Sequence, residues 1–88
     1  MLPEDIMSAV LHVSEHEDEA SFEKIFNHFF ARLLSFAQSF LKNHGLAEEA
    51  VEDVFIKLWA NRKVLSAIKN LTSYLYTATK NETINCLA

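Results

Sequence analysis

Between Glu19 and Asn43, apolar side chains recur at steps of three and four: Phe22, Ile25, Phe26, Phe29, Leu33, Phe36, Ala37 and Phe40. That is the period with which an α-helix lines one side with hydrocarbon; a strand would scatter the same residues over both faces. A stripe this long must be buried against other helices, and it reads as ordinary packing rather than a cofactor box. One glycine and one proline are too few turn formers for a sheet protein built from hairpins. Half the residues are apolar and seven are phenylalanine, which argues against disorder. A chain of 88 residues buries about 60–65% of its unfolded surface. The expectation is an all-α fold, a compact bundle of about four helices, with residues 1–88 forming a single domain.

The first helix is expected from about Pro3 to Ser14, with Pro3, Glu4 and Asp5 suited to a first turn. The polar run Glu15–Glu19 separates it from the second helix, which Asp18 or Ser21 can cap. Gly45 sits where a left-handed residue would close that second helix. A third helix covers Ala47–Arg62, Arg62–Lys69 is a connector with about one helical turn, and Asn70 can cap a fourth helix. No apolar run approaches the roughly 18 residues of a membrane span, and the N-terminus lacks the basic start of a secretory signal. The lone Cys86 cannot form an internal disulfide, which fits a reducing cytoplasm. No membrane insertion is expected, and the expected location is cytoplasmic.

The third segment, AEEAVEDVFIKLWANR, writes two opposed faces into one helix. At about 100° per residue, Ala47, Val51, Val54 and Leu58 fall on one side, flanked by Phe55. Glu49, Glu52, Asp53 and Ile56 fall on the other. Three carboxylates around an exposed isoleucine suit contact with a basic partner. A solvated acidic face explains the same residues, so both readings stand at this point.

The net charge of −4 hides a gradient. Met1–Glu23 holds seven acids and no lysine or arginine, whereas Arg62–Ala88 sets Arg62, Lys63, Lys69 and Lys80 against Glu82 alone. An acidic chain does not coat nucleic acid through bulk charge, yet its basic end can meet phosphates locally. In the fourth segment, Leu71, Tyr74, Leu75 and Ala78 share a face. Continuing that helix puts Glu82 within the buried stripe and leaves Ile84 and Leu87 off it, so a break or bend near Lys80–Asn81 is expected. Asn81 tolerates irregular backbone, and its amide can either cap a helix end or read a base edge.

The strings EDEASFEKIFNHFF, AEEAVEDVFIKLWANR and NLTSYLYTATKN followed by ETIN, in this order, resemble region 2 of bacterial sigma factors of the extracytoplasmic-function type. The resemblance runs from about Asp18 to the end and is specific as a combination, each part alone being weak. It implies a transcription initiation domain, and no enzymatic activity, cofactor or metal is expected of the chain. The partners implied are RNA polymerase core through its beta-prime coiled coil, the single-stranded minus-10 region of promoter DNA, and an anti-sigma factor. By the resemblance, Glu49, Glu52, Asp53 and Ile56 become the polymerase-binding face. Asn81 becomes the residue at a flipped base held by the surrounding loop, with Lys80, Thr77, Lys69, Arg62 and Lys63 also on the DNA side. Tyr76 projects away from the Leu71–Ala78 stripe and is expected to stack on DNA, whereas Tyr74 is expected in the core.

Some positions depart from the family pattern. Glu52 stands where glutamine is usual, and the sequence stops at Ala88, where an arginine and further basic residues usually follow. The minus-35-reading domain of an intact factor is not in the sequence, so an excised region 2 fragment is expected. The alternative from another class is a sigma-like interaction module, a decoy or anti-sigma-binding domain that does not bind DNA. A metal enzyme would have to use His12 and His16, four apart beside Glu15, which lack a third ligand at a recognisable spacing. No glycine-rich phosphate loop, nucleophile elbow or Glu-x-x-His pair is present.

Overall fold

The stripe of the second segment becomes the axis of the molecule. In the computed structural model, which describes residues 2–87, the elements run α1 (Glu4–His16), α2 (Glu19–Gln38), α3 (His44–Ala60), a 3-10 helix (Arg62–Ala67) and α4 (Leu71–Leu87). Of these, α2 packs against α1, α3 and α4, whereas α1 packs only on α2 and the 3-10 helix. The fully buried positions of α2 step by four, through Ile25, Phe29, Leu33 and Ala37. Phe22, Phe26, Phe30 and Leu34 lie on the flank of that line and are half-buried against the core. The core is completed by Ile6, Ala9 and Val13 of α1, by Leu41, by Ala47, Ala50, Val51, Val54, Phe55 and Leu58 of α3, by Leu65 of the 3-10 helix, and by Leu71 and Leu75 of α4.

Local chemistry sets the helix ends. Asp18 caps α2, its Oδ1 accepting from the Ala20 N–H at 3.2 Å and its Oδ2 from the Ser21 hydroxyl at 2.7 Å. Asn70 caps α4 as expected, its Oδ1 accepting from the Ser73 N–H at 3.0 Å. α2 ends five residues early, at Gln38 rather than Asn43, and leaves Phe40 partly exposed. Gly45 is not a left-handed cap: it lies inside the first turn of α3, and no described glycine has positive φ. Asn43 begins that helix, its Oδ1 accepting from the Leu46 N–H at 3.0 Å. A Cβ on Gly45 would sit 3.3 Å from that oxygen, so glycine leaves room for the cap. The left-handed cap belongs to Glu17 at the end of α1 (φ 53°, ψ 38°), a conformation costing roughly 1–2 kcal/mol in a residue with a Cβ.

α4 corrects a second expectation. It runs unbroken through Lys80 and Asn81. Its buried face is Leu71, Leu75, Thr79 and Thr83, in steps of four, so the stripe continues in threonine after the leucines end. The Thr79 hydroxyl donates to the Leu75 carbonyl at 2.8 Å, and the Thr83 hydroxyl to the Lys80 carbonyl at 2.7 Å. Each threonine thus returns its polar atom to its own helix and offers a methyl group to the core. Glu82, the residue that seemed to forbid a continuous helix, pairs with Lys57 of α3.

Two outcomes follow from these ends and this helix. The hydrogen bond from Ser21, with those from backbone N–H groups, holds the Asp18 carboxyl below its ordinary 3.8. A depressed folded value means the cap's contribution is present above the unfolded pKa and lost as pH falls through the folded one. Denaturation series from about pH 5 to about pH 2 should therefore show a flatter acid limb in Asp18→Asn, which keeps an acceptor but cannot titrate. Asn81→Ala should raise stability by about 0.3–0.6 kcal/mol in urea titration, since alanine is the better helix former. Destabilisation would instead mean that the backbone at Asn81 is not helical.

Candidate functional site

The four residues singled out on the third segment share one outward face of α3. Ile56 is 65% exposed, Glu49 and Glu52 are exposed, and Asp53 is half-buried. Among the described residues, no ammonium, guanidinium or imidazolium lies within ion-pairing distance of Glu49, Glu52 or Asp53. An exposed isoleucine ringed by carboxylates outside any ion pair leaves apolar area and negative charge free together. Towards α2, this face opens onto an apolar groove of about 500 Å³ walled by Phe22, Phe26, Phe55 and Trp59 beside Glu52 and Ile56. The Phe22 and Trp59 rings meet edge to face at 5.0 Å, and Phe26 meets Phe55 at 4.8 Å. Sequence periodicity assigned Phe22 and Phe26 to the core. Both do pack against the core, but from its flank, one position off the fully buried every-fourth series, and the apolar pattern alone does not separate the two lines.

Towards α4, the α3 face is bounded by the pair formed when the Lys57 ammonium donates to Glu82 Oε1. This hydrogen bond and the Glu82 charge, with a smaller contribution from Asp53, hold Lys57 above its ordinary pKa.

A second outward face belongs to α4. Thr77, Lys80, Asn81 and Tyr74 are exposed on it, and Ile84 continues it at 50% exposure. The tyrosines exchange the places expected of them. Tyr74 is exposed, whereas Tyr76 is half-buried with its ring edge to face on Phe36 at 4.9 Å. Because Thr79 and Thr83 rather than Ala78 continue the buried line, the face turns and carries Tyr76 to its flank. Asn81 accordingly stands on a helix and not in a loop. Lys69, Tyr76 and Thr77 come together in a different place, a cleft of about 660 Å³ at the start of α4 that Met7 of α1 also lines.

Arg62 and Lys63 do not act as a pair. Lys63 is exposed, but Arg62 turns inward. Its Nε donates to Glu17 Oε1 at 2.8 Å, Nη2 lies 2.7 Å from the same oxygen, and Nη1 donates to the Trp59 carbonyl at 3.0 Å. The guanidinium also sits 4.5 Å from the Trp59 ring centroid. Nearby, Ser14 Oγ donates to the Arg62 carbonyl at 3.3 Å and accepts from the Ser66 N–H at 2.8 Å. Among the described residues, no group of three or more His, Cys, Asp or Glu side chains is placed to hold a metal ion, and no helix is long and apolar enough to cross a membrane.

A family model described as sigma-70 region 2 matches residues 25–88. No curated protein and no solved structure matches the chain. The match takes in α3, α4 and most of α2 but not α1. Arg62 therefore ties the unmatched N-terminal helix, through Glu17, to the matched body. Arg62→Ala should cost about 1–2 kcal/mol, read by thermal unfolding, because charged hydrogen bonds and the ring contact are lost together. An unchanged melting temperature would show that the guanidinium contributes nothing to holding α1.

Proposed function

The chain belongs to the sigma-70 region 2 family, a non-enzymatic domain of sigma factors in transcription initiation, and from this we propose that α3 docks on the beta-prime coiled coil of RNA polymerase while α4 captures the minus-10 element of promoter DNA. The observation that carries the first half is Ile56, largely exposed among three carboxylates that have no ion-pair partner among the described residues. A basic helix surface with an apolar seam would satisfy both features, and the adjoining aromatic groove offers a pocket for an anchor side chain.

The second half rests on the α4 face. Extruding a base from the stack costs a few kcal/mol. Stacking on an exposed tyrosine returns roughly 1–3 kcal/mol per base, and an amide can complete the recognition. Tyr74 and Asn81 share the exposed side of α4, with Thr77 and Lys80 beside them. Tyr76, Lys69 and Lys63 are nearer the cleft and the 3-10 helix, where they suit the backbone of the same strand. From the 3-10 helix to the end of α4 the exposed cations are only Lys63, Lys69 and Lys80, so affinity for DNA comes mainly from being held beside it by polymerase. The same proposal covers the extracytoplasmic-function type, a cytoplasmic location, and an anti-sigma factor that competes for the α3 face.

Titration calorimetry against the isolated beta-prime coiled coil should give micromolar or tighter binding, lost in Asp53→Lys with the helical circular dichroism intact. An intact fold that does not bind the coiled coil would favour an interaction module that meets another protein and not polymerase.

A further inference from the structure

Asp53 and Lys57 are four positions apart on α3, acid before base, the spacing at which a helix ordinarily pairs them. They are not paired. The ammonium reaches across to Glu82 of α4, 25 positions along the chain. Glu82 is the fixed partner, with its side chain 14% exposed, whereas that of Lys57 is 67% exposed and free to choose. Lys57 is the only basic residue within the face's own stretch of α3, between Glu48 and Ala60. We infer that Glu82 sets the charge of the α3 face by drawing Lys57 away from Asp53, so that three carboxylates rather than two are presented to a basic partner. Glu82 touches no partner in this arrangement; it is a positioning residue that acts through Lys57. The inference rests on α3 being the docking face for its consequence in binding, but not for its consequence in geometry.

Replacing Glu82 by methionine removes both the charge and the acceptor while filling the half-buried site. With Glu82 gone, Lys57 has Asp53 within its own helix as the remaining acidic neighbour, and the pair should form. Binding of Glu82→Met to the beta-prime coiled coil should weaken roughly two- to fivefold, the range of an exposed ion pair. Adding Lys57→Gln to that variant should restore wild-type affinity or better. A merely structural Lys57–Glu82 bridge would not give this rescue, since the double variant lacks the bridge altogether. A crystal structure of Glu82→Met decides the geometry without any partner: the Lys57 ammonium should lie within ion-pairing distance of Asp53. An ammonium left in solvent, or a double variant that binds as weakly as the single one, would overturn the inference. Failure of the wild-type domain to bind the coiled coil would instead overturn the docking proposal, while the position of Lys57 still decided this one.

Discussion

The line Ile25–Phe29–Leu33–Ala37 runs along α2, the one helix on which both helices that carry the outward faces pack. Burying each large apolar side chain on that line contributes roughly 1.5–3 kcal/mol, and a domain this small has few others to replace it. The other three helices all pack on α2, so its register fixes how each is turned. α3 gives its buried side to α2 and α4, and what remains outward is the acidic face with Ile56. The face is thus a consequence of core packing, and it needs no loop to display it.

The helices were legible because their apolar periodicity is strong, and the two faces of α3 could be assigned from phase alone. α4 was harder to read. Threonine counts as polar in any hydropathy pattern, yet Thr79 and Thr83 are fully buried, with hydroxyls turned back onto their own helix. Missing them shifted the inferred buried line, which produced both the break that does not exist and the exchange of Tyr74 with Tyr76. Gly45 misled for another reason: it is the only glycine and lies near a helix end, but the space beside Asn43 explains it, not a left-handed backbone. Arg62 could not be placed from sequence, since its partner Glu17 is 45 positions away.

α1 packs on α2 but makes no contact with α3 or α4. It buries only Ile6, Ala9 and Val13 fully, and it reaches the remainder of the chain through α2, the 3-10 helix and the cluster around Arg62. The strained backbone of Glu17 and the carboxylate that holds Arg62 belong to the same residue, so one residue ends the helix through its backbone and secures it through its side chain. The acidic α1 is therefore fastened beside the basic connector.

If α4 takes up DNA as proposed, its unbroken course bears on where the entropy of that capture is lost. A loop at Asn81 would have to be frozen when a base arrived, and its ordering would subtract from affinity. A helix with a packed threonine face is already ordered before any strand meets it. Under that proposal the loss of freedom would fall on the nucleic acid, whose nucleotides would have to adapt to a preformed helix. Selectivity among promoters would accordingly follow how readily each sequence unstacks as well as which bases it offers.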